Sequence, residues 1–557
     1  MMMPNGNLFS QPFDEGSDRG ASSVVVLPLN LLAHIVSYLT DPRDLARICQ
    51  TCRVLYYMTL PQLYQNITLE SRTDVRVVDG VPEGAGGASP FTMALNGLVT
   101  RNVAGLVKSL RLRGQFKTHD LKQSASIGHL PDNVMLLNIV LRAAVDRMDK
   151  LQAFTWELDS TIHETVYNGM ALRPSLRSLT LKCPSSRVTR PVTVIPPMPS
   201  LRHFKYTHID PLCYPDDISL LLFRSRNLDD LQLHWSDRMR AEREPSVNLN
   251  TYFGKCVAAK YPLRLTSVSF QNLYCFPEDG YDTLFDATTL KKVTFMNILA
   301  GPGEEGMGYY DRKWRISYTK PGSCLNKIKF LRIDRSSPGF AGFLRSVEAL
   351  EELYLVNDSH LRAALNSTKS TPSSMRSSES SYSNGSSPSN TSLPKVGRDN
   401  LDLITQNHGQ TLKYLLLSDE WKLGQVQLGQ LVRSCPNLEQ LGMAIERNNY
   451  QLLSILLPFL DKLCAVRLLD DDTSLSYEEM RDSADEETRH ACSLPGRAPK
   501  NLRYIGIGEK VYELCEEPVD WQSQEEMGED PTFPQLRLVP SERVSDFPIW
   551  AMDKPDI

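Results

Sequence analysis

The residues best suited to chemistry are two cysteines in the first tenth of the chain, Cys49-Gln50-Thr51-Cys52. A C-x-x-C pair holds zinc when two further ligands follow, or exchanges disulfides when it sits behind a thioredoxin-like strand. Neither context is present, because no second C-x-x-C or histidine pair follows at ligand spacing. Placed on a helix at i and i+3, the two thiols belong to packing. Two glycine-rich stretches, Gly80 to Gly87 and Gly301 to Gly308, raise the question of phosphate binding. The first lacks the Lys-Ser/Thr pair and the apolar helix start of a phosphate loop, and the second reads as a plain loop. The ten histidines are dispersed. His34 falls on a helix face, and His203, His208 and His234 on strand faces or loops. No Ser/His/Asp or paired-carboxylate motif has a recognisable local context. The expectation is a chain with no metal, no cofactor and no active site of its own.

The elements that hold the cysteines are more telling. From Leu27 the chain reads Leu-Pro-Leu-Asn-Leu-Leu and continues to Leu69. Leu31, Leu32, Ile35, Tyr38 and Leu39 fall at i, i+1, i+4, i+7 and i+8, one stripe of a helix. Pro28 suits that helix's first turn. Asp41 can cap the next helix, with Pro42 at its first position and Asp44 in its first turn. Two or three short helices within about 45 residues bury too little to stand alone, so a partner or a following domain is expected.

These residues resemble an F-box. The family's elements appear as Leu27-Pro28, Leu31-Leu32, Ile35, Tyr38-Leu39, Asp44-Leu45 and Ile48-Cys49, and Leu60-Pro61-Gln62-Leu63-Tyr64 with Ile67-Thr68-Leu69 looks like the segment that often follows the box in fungal members. Leu55-Tyr56 stands where many members carry a tryptophan. The resemblance implies that Leu27, Pro28, Leu31, Leu32, Ile35, Leu39, Leu45 and Ile48 contact the Skp adaptor or form the core of the box. The sequence alone does not separate those two roles.

Beyond the box, one pattern recurs: apolar, two residues, apolar, one residue, apolar. It begins at Val107-Leu110-Leu112 and Leu151-Phe154-Trp156, and ends at Leu463-Val466-Leu468 and Leu502-Ile505-Ile507. Of the twelve intervals between its thirteen copies, seven are 22 to 27 residues. That is the period of leucine-rich repeats, in which a short strand points alternate side chains inward and a helix or loop returns behind it. Pro215 to Arg226 and Leu423 to Ser434 read as such returning helices. The asparagine or cysteine usual three residues after the third apolar position is missing; Gln115, Pro184, Ile209, Ser236, Asp358 and Glu446 stand there. The expected fold is α/β: a short helical F-box followed by an irregular leucine-rich-repeat solenoid with disordered insertions. The expected boundaries are a disordered 1–22, a box over 23–70, a linker over 71–102, the solenoid over 103–510 and a tail over 511–557. Within the solenoid, the serine-rich 366–393 cannot offset its ordering entropy, and the acidic 470–490 reads as a solvated loop. Thr371-Pro372 and Ser387-Pro388 could take phosphate. In the tail, Phe547, Pro548, Ile549 and Trp550 form an apolar latch candidate.

Composition narrows the partners. The 557 residues carry a net charge of −5, which argues for neither nucleic acid nor an anionic membrane. Eleven cysteines without a paired framework, and an N-terminus unlike a signal peptide, point to free thiols in a reducing compartment, cytoplasmic or nuclear. Outward positions on the strands would present Arg111, Arg113, Lys182, His203, Lys205, His234, Arg332 and Tyr354 to a protein substrate with an acidic or phosphorylated segment. Box plus repeats resembles the substrate receptors of cullin–RING ubiquitin ligases. The resemblance implies docking to the Skp adaptor and thereby to the cullin, with catalysis by proximity and no nucleophile in this chain. A repeat scaffold acting outside ubiquitin transfer is the alternative, and an enzyme hidden in the insertions a distant third.

Overall fold

A computed structural model describes residues 27–72, 76–78, 81–83, 90–116, 132–236, 238, 249–273, 281–286, 288–296, 324–334, 340–357, 395–446, 453, 455–469, 501–508, 510–515, 535–545, 547–554 and 557. The expected disordered N-terminus, the serine-rich and acidic insertions, Gly301 to Gly308 and most of Gly80 to Gly87 lie outside the described residues.

Three helices open the chain: α1 (Leu29–Ser37), α2 (Pro42–Cys49) and α3 (Arg53–Leu63). Pro28 sits one residue before α1 rather than in its first turn. Its ψ of 140° is extended, and its carbonyl accepts the amides of Leu31 and Leu32. The Asp41 carboxylate accepts the Arg43 N–H at 2.8 Å, with Pro42 first in α2, so this cap forms as its residue types dictate. Cys49 ends α2 while Cys52 precedes α3, so the two thiols are not on one helix; the turn Gln50–Thr51 parts them. The Gln62 amide donates to the Leu39 carbonyl, tying α3 to the end of α1.

The strands are β1 (Asn66–Ser71), a hairpin of β2 (Arg76–Val78) and β3 (Val81–Glu83), then β4 (Ser109–Gly114), β5 (Ala153–Leu158), β6 (Ser178–Lys182), β7 (His203–Ile209), β8 (Asp230–Trp235), β9 (Ser267–Gln271) and β10 (Lys292–Met296). They continue with β11 (Phe330–Ile333), β12 (Glu352–Leu355), β13 (Tyr414–Leu416), β14 (Lys422–Leu423), β15 (Gln440–Ile445), β16 (Ala465–Leu468), β17 (Tyr504–Ile507), β18 (Lys510–Cys515) and β19 (Gln535–Val539). Apart from the β2–β3 hairpin, they form one sheet among the described residues. From β1 to β17 its strands pair in parallel and in chain order, while β18 and β19 close the series antiparallel.

The register explains the recurring triplets. The middle apolar residue of each lies beside the middle residue of the next, from Leu110, Phe154 and Leu179 through Leu353, Leu415 and Leu441 to Ile505. Every residue of this row is at most 1% exposed. A parallel neighbour needs a return path behind the sheet. Helices take it between successive strands: α4 (Pro90–Thr100), α5 (Asp132–Val145), α6 (Glu164–Ala171), α7 (Ser219–Arg224), α8 (Leu249–Ala258), α9 (Tyr281–Leu284), α10 (Phe340–Ser346), α11 (Lys395–His408) and α12 (Gln425–Ser434). One apolar core runs behind the sheet from Phe91 to Tyr512.

Two stretches outside the triplet series join the same sheet and core. The linker region 71–102 contains α4, whose Phe91, Leu95 and Leu98 are at helical spacing and buried in that core. The sheet starts with β1, inside the stretch assigned to the box, and Ile67 and Leu69 lie beside Leu110 and Leu112. The step from β1 to its neighbour is tight. Gly114 has φ +105°, and a Cβ there would lie 2.1 Å from the Ser71 carbonyl oxygen, so only glycine fits. Asparagines also stand two residues after the third apolar position instead of three. Asn272 donates to the Trp235 carbonyl at 3.3 Å, and the Asn357 side-chain oxygen accepts the Asp419 N–H at 2.8 Å. Both are 1% exposed, so they satisfy inter-strand turns as a buried amide must.

Candidate interaction surfaces

Helix α1 turns its apolar residues two ways. Leu32 and Val36 are buried, as is Leu45 of α2, whereas Leu27, Leu31 and Ile35 are 43%, 46% and 53% exposed. Pro28 is exposed too; Leu39 and Ile48 are intermediate. Exposure thus divides the eight residues that the sequence left mixed. Leu29, Tyr38, Tyr56 and Tyr57 extend the exposed apolar area. Of these, Tyr38 was legible in the helical stripe, and Leu29 and the tyrosines of α3 were not. Isolated exposed leucines are ordinary on a protein surface; here several gather on one short helix and the residues just before it. Covering three such half-exposed side chains contributes on the order of 1 kcal/mol each, about half the value for full burial.

This segment has a known counterpart. Residues 24–70 match the F-box-like family model. No curated protein matches the chain. F-box domains in general bind the Skp adaptor and thereby a cullin ligase, and proteins that carry them are generally non-catalytic adaptor subunits. Within this F-box-like domain the Cys49 thiol is pushed up by burial, away from the thiolate that metal binding or exchange requires. Among the described residues no group of three or more metal-ligating side chains converges, and the seven cysteines whose side chains are described are free. Burial pushes Cys213 and Cys435 up to about 12. No helix among them is long and apolar enough to cross a membrane.

The second surface is the sheet face opposite the helices. Its basic residues do not form a free cationic patch. Arg111 grips Glu157 with two hydrogen bonds of 2.9 and 3.0 Å, and Arg113 reaches Glu70 at 3.3 Å. His203 lies 3.8 Å from Asp230, Lys182 is half-buried at the end of β6, and the His234 ring neighbours His208 and the Asn272 amide. Further along, Arg332 and Tyr354 are buried instead of outward in solvent, and Tyr354 donates to Glu352 at 2.8 Å.

The cover is the chain's own last stretch. A short helix, α13 (Pro548–Ala551), and the residues after it cross this face. Phe547 packs edge-on against Tyr504 of β17, ring centroids 4.9 Å apart, so the apolar latch does close on the end of the sheet. Trp550 fits over Gly506, where a Cβ would lie 2.8 Å from its ring. The Ile549 N–H donates to Gln440 of β15 at 3.2 Å, and its carbonyl accepts from Arg467 of β16 at 3.2 Å. Met552 packs on the apolar patch of Phe330, Tyr354 and Leu416. Arg332 donates to the carbonyls of Met552 and Lys554 at 2.8 and 2.5 Å. At the far end the Ile557 N–H donates to Gln271 of β9 at 3.1 Å, and its oxygen accepts from Lys205 of β7.

Asp553 is the anchor. Its carboxylate meets the Arg467 guanidinium at 2.8 Å, the Asn357 backbone N–H at 2.9 Å and the Asn357 amide at 3.0 and 2.9 Å, with no exposed side-chain surface. A buried carboxylate is tolerable only when so paired. Sequence inspection did not find this site, because the partners lie 86 to 196 residues from Asp553 and share no motif.

A third cluster is internal. Asp216, raised by burial, accepts from Tyr167 at 2.9 Å and from the Thr193 N–H at 3.2 Å, with Arg190 at 3.6 Å. It staples α6 to the loop before α7. It offers neither a nucleophile nor a free acid–base pair.

Proposed function

We propose that this chain is the substrate-recognition subunit of a cullin–RING ubiquitin ligase of the Skp–cullin–F-box type. The F-box-like domain docks on the Skp adaptor, and the sheet, read as an irregular leucine-rich-repeat solenoid, holds a protein substrate with an acidic or phosphorylated segment. The observation that carries the reading is the exposed strip Leu27, Leu31 and Ile35 inside the matched segment. Those three and Pro28 are the adaptor contacts; Leu32 and Leu45, with Leu39 and Ile48 at their margin, are the box core. In support of the repeat assignment, thirteen apolar triplets share one register row and the parallel strands follow chain order. The chain contributes proximity rather than chemistry, raising the local concentration of a substrate lysine near a charged conjugating enzyme.

Co-purification tests the assignment. The adaptor and cullin should accompany the wild-type chain, and Leu27→Ala with Pro28→Ala should lose both. Retention of the adaptor by that double variant would sink the docking assignment. Adaptor binding without cullin would instead favour a leucine-rich-repeat scaffold acting outside ubiquitin transfer.

A further inference from the structure

Residues 547–554 and 557 lie on the sheet in the manner of a bound peptide. Most of their polar contacts to it described above run through side chains: Gln440, Arg467, Arg332, Gln271 and Lys205 reach the segment's backbone, and Arg467 with the side chain and backbone N–H of Asn357 holds the buried Asp553 carboxylate. The backbone-to-backbone hydrogen bonds of residues 547–552 are local, as in Met552 N–H to the Pro548 carbonyl, and no strand pairing of the sheet includes these residues. The segment can therefore leave without breaking a rung of the sheet. Its departure would uncover two buried arginines, a lysine and the apolar patch of Phe330, Tyr354 and Leu416. Such a surface is complementary to an acidic peptide, with backbone contacts supplying affinity and a few side-chain pockets supplying selectivity.

We propose that this face is a recognition site for an acidic peptide with the grammar Ile-Trp-x-x-Asp, its Ile-Trp part in a helical turn, that residues 547–557 occupy it in cis, and that a partner protein presenting such a segment displaces them. The inference rests on the reading of the sheet as the partner-binding surface and gives that surface a ligand chemistry. The carboxylate in the Asn357–Arg467 pocket is the required group, and the indole over Gly506 is the second. A tethered segment competes at an effective concentration that reaches millimolar, so the intact chain resists weak ligands and yields to a segment that binds tighter or in several places.

The test uses the full chain and a fluorescent peptide, Phe-Pro-Ile-Trp-Ala-Met-Asp-Lys-Pro-Asp-Ile, the sequence of residues 547–557. Asp553→Ala and Trp550→Ala, each made in the chain, should free the face and bind the peptide at least tenfold more tightly than wild type does. Replacing the peptide's first aspartate by asparagine should weaken binding tenfold or more, and adding Arg467→Ala to Asp553→Ala should abolish it. Equal binding by wild type and both variants, or indifference to the asparagine peptide, overturns the proposal. Should a variant melt below wild type, hydrogen exchange on wild type decides. Excess peptide must speed exchange of the 549–553 amides, and unchanged exchange overturns the proposal. Adaptor co-purification of the same variants separates the two readings. Normal adaptor binding with no peptide binding refutes the ligand assignment alone, whereas the reverse refutes only the ligase role.

Discussion

The two halves of the sheet share a sequence pattern but not an environment. In β4 to β8 side chains alternate between buried and open positions, as a one-sided sheet requires. In β11, β15 and β16 every position is buried. Arg111, Arg332 and Arg467 stand on one register row, yet the Arg111 side chain is 46% exposed and that of Arg467 is 6% exposed. The difference does not lie in the strands. It comes from residues 547–554, which cross the second half and carry the carboxylate that makes a buried Arg467 tolerable. Identical local patterns therefore give a solvated ion pair in one place and a recognition pocket in the other.

The inner row should not distinguish the halves. Leu231→Ala in the first and Leu441→Ala in the second each leave a cavity at a fully buried site and should lower stability by about 2–5 kcal/mol in urea titration. A loss below about 1 kcal/mol in one half only would mean that the halves differ in their core as well as their cover.

The outer row should separate them. Arg467→Ala strips Asp553 of its cationic partner, a change worth about 3–5 kcal/mol for a buried pair that stays in place. Because the segment can detach, the effect should fall on its docking, with exchange of the 549–553 amides at least tenfold faster and the inner core little changed. Equal acceleration throughout the sheet would show that the segment is an inseparable part of the fold. At the corresponding position, Arg111→Ala should change stability by no more than about 1 kcal/mol, since its pair with Glu157 is open to solvent.

A pH profile probes the second half separately. His408 on α11 is fully buried, its Nε2 2.9 Å from the Leu344 carbonyl oxygen, and burial lowers its pKa below 6.5. The unfolded chain therefore takes up the proton first. Stability should be complete above about pH 6.5 and fall as the pH drops toward the folded value. His408→Gln should flatten that slope in thermal melts between pH 7 and 5. An unchanged slope would assign the acid sensitivity to other groups.

Much of this was legible in the chain. The helical stripe from Leu31 to Leu39, the Asp41–Pro42 cap and the thirteen triplets are local patterns, and local hydrogen bonding and side-chain spacing realise them where they stand. What failed to read were features of contact between distant residues. The placement of α4 in an expected linker depended on whether a core existed for Phe91, Leu95 and Leu98. The separation of Cys49 from Cys52 depended on a helix break that propensity alone does not place. The division of the box leucines into exposed and buried required the packing of three helices.

The amino-acid order by itself determined where the repeated strands fall and which apolar side chains of each triplet face inward, because period and residue type act within a few positions. Only the tertiary structure decided which outer-face residues meet solvent. Arg332, Tyr354 and Arg467 are covered because a segment up to 222 residues away in sequence folds back across them. Burial of a charge is a property of everything that surrounds it, and no window of sequence contains that.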